Sequence, residues 1–225
     1  MALADEGTAG GGTDYNIAIG YQALTMGDVG SNDRNRQGNI AIGAFALNST
    51  GDIAVSGQIA IGHNALTAMN GGTGGNVAIG HQSGDAITTG SQNTLLGYQA
   101  GSALVDDSNN TFIGFNSGLQ NTGEKNVAVG NHTIKNGSGA GSDNTALGSS
   151  ALYGLTSGSN NIAIGRESLH DVTTGTYNIG IGNFALDVAD GGESNNIAIG
   201  TNAMGSINND ASDHNVVIGD SALLG

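Results

Sequence analysis

Residues 16–24 read NIAIGYQAL, and the phrase returns as NIAIGAFAL at 39–47, QIAIGHNAL at 58–66 and NVAIGHQSG at 76–84. Marked by its central glycine, it recurs at Gly20, Gly43, Gly62, Gly80, Gly97, Gly114, Gly130, Gly148, Gly165, Gly182, Gly200 and Gly219, twelve copies spaced 16–23 residues apart. Four residues before each glycine stands Asn, with Gln58 the single exception. Three residues after it the side chain is always small: eight Ala, three Ser and Thr133. A period of this size sustained along a chain is the signature of a solenoid, in which each unit is stabilised by stacking on its neighbours.

Inside the phrase, apolar side chains alternate. In an extended chain Ile17 and Ile19 face one side and Ala18 the other, since strand side chains have a period of two. β-Branched residues at both outer positions favour a strand over a helix. Glycine then permits a bend. A small residue and usually Leu follow, as in Ala23-Leu24 and Ala185-Leu186, and a polar connection rich in Gly, Ser, Asn, Asp and Thr returns to the next Asn. Each repeat reads as one coil of an all-β parallel β-solenoid of about twelve coils, with a flexible leader over 1–15 and a single repeat domain over 16–225.

Three columns follow from stacking. The Ile/Val pair is expected to form a continuous buried stripe. Asn16, Asn39, Asn76, Asn93, Asn110, Asn126, Asn144, Asn161, Asn178, Asn196 and Asn215 are expected to form a structural amide ladder bonding to neighbouring amides or turn backbone. The opposite strand face is small and apolar at Ala18, Ala41, Ala60, Ala78, Ala128, Ala146, Ala163 and Ala198; Leu95, Phe112 and Val217 are larger there and Gly180 smaller. A face that small lets another backbone approach closely, so these alanines are the expected subunit interface of a symmetric homo-oligomer.

Composition narrows the function classes. Five Lys and Arg stand against nineteen Asp and Glu, a net charge of −14. Nucleic acid and anionic membranes both demand a basic face, so neither is an expected partner. There is no Cys for disulfides or thiolate metal sites. No apolar run reaches the length of a membrane span. MALADEGTAGGG lacks the basic start and apolar stretch of a secretory signal.

The phrase N-x-A-I-G-x-x-A/S in tandem, from Asn16 to Leu223, resembles the head repeats of trimeric autotransporter adhesins, the YadA-like heads, and similar repeats of phage tail fibres and other virion attachment proteins. The resemblance implies a left-handed parallel β-roll, three chains side by side, used for attachment to a host surface or extracellular matrix. The handedness rests on the resemblance alone. The sequence shows no secretion signal, heptad stalk or anchoring barrel, which directs the expectation to an extracellular or virion fibre, or an excised head.

Recognition is expected where the frame varies. The longest connection, TMGDVGSNDRNRQG at 25–38, holds Arg34 and Arg36, whose planar guanidinium groups suit an acidic glycan or a carboxylate. The plain alternative is a tolerated insertion with solvated charges. The residue after each glycine gives a second candidate column: Tyr21, Ala44, His63, His81, Tyr98 and Phe115, then Asn131, Ser149 and Arg166. Such rings suit a sugar or ordinary packing between rungs. His63 and His81 form a weak two-His metal signal and are read as structural. No cofactor, metal or catalytic motif is expected: GGTGGNVAI at 71–79 resembles a calcium-roll unit only once, and P-loop, HExxH and nucleophile-elbow patterns are missing.

The expectation is therefore a non-enzymatic homotrimeric fibre for attachment, contacting a surface glycan or protein receptor, with a neighbouring fibre or stalk protein at an open solenoid end. A self-stacking filament subunit is the alternative, and a glycan-processing fibre with an inter-chain site a third.

Overall fold

The structure, a computed structural model, describes residues 15–25, 37–48, 55–136, 139, 141–187, 192–205 and 213–223. Each glycine-marked phrase contributes one three-residue strand. These are β1 (Ile17–Ile19), β2 (Ile40–Ile42), β3 (Ile59–Ile61), β4 (Val77–Ile79), β5 (Thr94–Leu96), β6 (Thr111–Ile113), β7 (Val127–Val129), β8 (Thr145–Leu147), β9 (Ile162–Ile164), β10 (Ile179–Ile181), β11 (Ile197–Ile199) and β12 (Val216–Ile218). No helix occurs among the described residues. The chain forms two compact units, Met1–Asn110 and Thr111–Gly225. β1–β5 in the first unit and β6–β12 in the second pair in sequence order. Within each unit the pairings are parallel and in register, so Ile162 lies beside Thr145 and Ile179. The architecture is a parallel β-solenoid.

Rung-to-rung hydrogen bonds explain why so short a strand suffices. Ile162 N–H donates to Asn178 O at 2.8 Å, Leu169 N–H to Ala185 O at 2.9 Å, and the preceding rung is held by Gly165 N–H to Leu147 O at 2.8 Å. The strand is thus one part of a ladder that continues around the bend. Corners are made by left-handed backbone: Asn160, Glu167 and Leu169 have φ of 61°, 55° and 51°, and the equivalent positions repeat this in the other rungs. A non-glycine residue at such φ costs roughly 1–2 kcal/mol, so the ladder and core must hold the corners in place.

The asparagine column provides much of that hold. Asn161 Nδ2–H donates to Asn144 Oδ1 at 3.1 Å and to Gly175 O at 2.8 Å, while its Oδ1 accepts from Asn178 N–H at 2.9 Å. The contacts recur with Asn39 and Asn76 bonding to the connections at Val55 O and Gly90 O, both at 2.8 Å. A second ladder runs the opposite way along the connections. There the side-chain oxygen belongs to the later rung: Ser142 N–H donates to Ser159 Oγ at 3.0 Å, Thr176 N–H to Ser194 Oγ at 3.0 Å and Ser194 N–H to Asp213 Oδ1 at 2.7 Å.

The packing reverses the expected faces. Ala41, Ala60, Ala78, Ala128, Ala146, Ala163 and Ala198 are fully buried within the chain, and Ala18 is half-buried at the first rung. They are interior residues, so the expectation that they form a subunit interface is corrected. The Ile/Val pair points outward instead: Ile19 is 58% exposed, Ile164 36% and Ile218 68%. The reason is thickness. The Leu that follows most of the bends, such as Leu47, Leu66 or Leu169, is itself fully buried, and Leu169 packs against Gly180 of the next strand, leaving room for little more than a methyl on most inward strand side chains.

Three of the four exceptions, Leu95, Phe112 and Gly180, follow the same volume rule; Val217 lies half-buried in the last rung. Gly84, Gly101 and Gly118 replace that Leu; the large inward residues Leu95, which faces both Gly84 and Gly101, and Phe112, which faces Gly118, take up the room, while β4 in the rung of Gly84 keeps the small Ala78. A Cβ on Gly101 would lie 2.8 Å from Leu95 Cδ2, and one on Gly118 would sit against the Phe112 ring. The small Gly180 makes room for the Leu169 side chain. A further buried column lies in the connections expected to be polar: Met69, Ile87, Leu104, Leu155 and Val172, each seven residues after a glycine.

Candidate functional site

The residue after each glycine leaves the bend pointing outward, and the left-handed residue that follows turns the chain back. In the first unit this brings rings from five rungs into one row. Tyr21 meets Phe45 edge-to-face at 5.4 Å, Phe45 meets His63 edge-to-face at 5.9 Å, and His63, His81 and Tyr98 stack at 5.2 Å per step. Phe45, absent from the expected column, comes from the second position after its glycine and bridges the gap at Ala44. Its signal in the sequence was plain: the only small residue in the first part of the column is followed at once by an aromatic one.

Stacking changes what the row can do. His81 lies between His63 and Tyr98 with interplanar angles of 13° and 9°, so neighbours cover both imidazole faces. A sugar ring binds an aromatic side chain through its face. His81 therefore offers ring nitrogens at an edge, a hydrogen-bonding group for a hydroxyl- or carbonyl-rich surface. The same parallel geometry directs the His63 and His81 lone pairs side by side instead of toward one point. Among the described residues no group of three or more His, Cys, Asp or Glu is placed to hold a metal ion.

In the second unit the rings occupy two adjoining columns. Phe115 meets His132 edge-to-face at 5.4 Å, and Arg166 lies over Phe184 at 4.4 Å. Five residues after their glycines, Lys135 stands 5.5 Å over Tyr153, and Tyr153 stacks on His170 at 4.9 Å. His170 Nδ1 in turn lies 2.7 Å from Asp171 Oδ1. Burial, helped by the Lys135 charge, lowers the His132 pKa. Arg34 and Arg36 lie outside the described residues.

Asp187 continues the Lys135–Tyr153–His170 column by sequence position. Burial, then the charges of Asp171 and Glu167, raise its pKa; a backbone hydrogen bond and His170 oppose them. Asp85 is raised in the same direction by burial, against a backbone hydrogen bond and His81. A carboxyl group whose folded pKa lies above its unfolded value contributes stability at low pH, and loses that contribution as pH rises through the folded pKa. Asp187→Asn should therefore raise the melting temperature at neutral pH, with the gain vanishing near about pH 3, where both states are protonated. Melting curves of both proteins across that range test this; a gain unchanged at low pH would refute it.

No helix among the described residues is long and apolar enough to cross a membrane. Comparison of the chain with protein-family profiles, with curated proteins and with solved structures found no match.

Proposed function

We propose that the chain is a non-enzymatic, homotrimeric β-roll of left-handed coil, the head or fibre segment of an extracellular or virion attachment device. The observation that carries this reading is the outward strand face. Counted over both units, its 24 positions, two per strand, hold 21 Ile, Val or Leu, three Thr and no charge, although the chain carries 24 charged residues, so each unit has its own apolar strand face. Long apolar surfaces of this kind mark association sites, and covering one isoleucine contributes roughly 1.5–3 kcal/mol. The trimer thus closes through the Ile/Val face, while the alanines fill each chain's interior. Three chains also present three copies of each corner row and connection, and multiple weak contacts raise avidity at a surface. The resemblance to adhesin heads and tail fibres supplies the number three, the handedness and the attachment role.

Light scattering of the purified chain across a dilution series is the direct test. A constant mass three times that of the chain is expected. Ile164→Lys combined with Ile181→Lys should give monomers with an unchanged far-ultraviolet circular dichroism spectrum and much weaker binding to cells or immobilised glycans that hold the native protein. A native monomer would overturn the reading. An open-ended mass that grows with concentration would replace it with a self-stacking filament.

A further inference from the structure

Three strands break the aliphatic pattern of the outward face: β5 begins with Thr94, β6 with Thr111 and β8 with Thr145, where the other nine begin with Ile or Val. Thr94 and Thr145 are exposed and Thr111 half-exposed. Among the described residues none of the three hydroxyls has a hydrogen-bond partner in its own chain. Strand propensity does not explain the choice, since Val would serve equally and Thr differs from it by the hydroxyl.

We propose that these threonines set the alignment between chains, so that further copies pack on this face in parallel and in register, with threonine meeting threonine at the same height. The proposal rests on the oligomer formed through the Ile/Val face. A second copy is the occupant because the face is a lattice of columns with one rung every ~4.8 Å. Another surface matches that spacing over many rungs only if it is a ladder of the same kind. An irregular partner would match one or two rungs and leave the rest of the face wet.

Alignment follows from the positions of the hydroxyls. In the second unit they stand on the first and third of seven strands, and in the first unit on the last of five. With all strands of a unit overlapped, reversing the strand order sets hydroxyls against methyl groups; the antiparallel offset that brings Thr111 opposite Thr145 leaves four of the second unit's seven strands uncovered. A slip of one rung does the same, bringing Thr145 opposite Val127 or Ile162. Only the parallel, unshifted arrangement covers every strand and also lets each buried hydroxyl bond to another, and a buried hydroxyl without a partner is costly. The aliphatic rungs supply attraction with little preference among registers, and the threonines select one.

The native chain has no cysteine, so cysteine pairs report register directly. Full-length Thr145→Cys is oxidised alone, and after co-expression with full-length Ile162→Cys or Val127→Cys carrying a distinguishable tag. Light scattering confirms the mass of every sample. The expected result is disulfide-linked Thr145→Cys pairs in several-fold higher yield than either mixed pair. Equal yields, or a mixed pair that dominates, within an oligomer of unchanged mass would overturn the alignment. A monomeric mass would instead sink the oligomer on which the proposal rests. Replacing Thr94, Thr111 and Thr145 together by Val provides the second measurement. With the cysteine pair moved to Ile162 and Ile179, the oligomer should keep its mass but lose its preference for self-pairs over mixed pairs. A preference that survives the triple change would also overturn the proposal.

Discussion

Asn161→Ala should lower the stability of the second unit by about 3 kcal/mol or more, judged from the groups it orphans. Asn161 is fully buried. Its removal takes away the acceptor of Asn178 N–H at 2.9 Å and the donor to Gly175 O at 2.8 Å, both inside the roll. It also removes the Nδ2–H donor to Asn144 Oδ1 and the Oδ1 acceptor of Asn178 Nδ2–H, each at 3.1 Å. Each stranded buried polar group costs about 1–3 kcal/mol, and the cavity left by the amide adds to this. Asn16→Ala is the internal comparison. Asn16 is only half-buried, and its Oδ1 accepts from Asn39 N–H at 2.9 Å. Its loss should be well under that of Asn161. Urea unfolding of the three proteins at one chain concentration decides the matter, the fixed concentration holding any linked association constant. Hydrogen exchange should show lost protection centred on β9 and β10. Equal losses for the two substitutions would mean that the asparagines act through local turn preference and not as a ladder.

Much of this architecture is visible in the phrase itself. The glycine period and the alternation of Ile-Ala-Ile give strand, bend and stacking, because each coil repeats the same local problem and solves it in the same way. The direction of the strand faces is another matter. Hydrophobicity ranks Ile above Ala and therefore places Ile inside. In a roll this thin the inward volume is already taken by Leu47, Leu66 and their equivalents, so the larger side chain goes out and the methyl goes in. The correct sense was present in the exceptions: Gly101 accompanies Leu95 and Gly118 accompanies Phe112, an exchange of volume between two positions of one interior. A residue on an exposed face has no reason to vary with a buried partner.

The corner rows were legible as a column but not as contacts. Tyr21, His63, His81 and Tyr98 do lie in one row, yet whether rings offer faces or edges depends on side-chain torsions that spacing does not set. Phe45 joins the row from a neighbouring position because the left-handed corner carries its side chain across. The serine ladder was hidden for a different reason. Ser142, Ser159 and Ser194 stand two residues before an Asn, a regular spacing obscured by connections that are rich in serine throughout.

Gly130→Ala should destabilise the second unit by about 4 kcal/mol, the sum of backbone strain and steric overlap. Gly130 has φ 142°, a region that residues with a Cβ avoid. A Cβ there would also lie 2.5 Å from Gly148 O and 2.8 Å from Thr133 Oγ1. Neither neighbour can retreat freely. Gly148 N–H is bonded to Val129 O at 2.9 Å, and Thr133 Oγ1–H donates to Gly148 O at 2.9 Å, so the methyl would wedge apart the contacts that join the two rungs. Gly219→Ala separates the two causes. Its φ is 140°, almost the same, but the nearest atom to an added Cβ is that of Ala222 at 3.5 Å, an ordinary contact. Strain alone should then cost about 1–2 kcal/mol. The comparison by urea unfolding, with hydrogen exchange at β7 and β8, reads the difference as the closeness of successive rungs. Equal costs would show that the glycine column answers to backbone angle alone. A much larger cost at Gly130 would show that glycine is required there because stacking at one rung every ~4.8 Å brings the next bend too close for a single methyl.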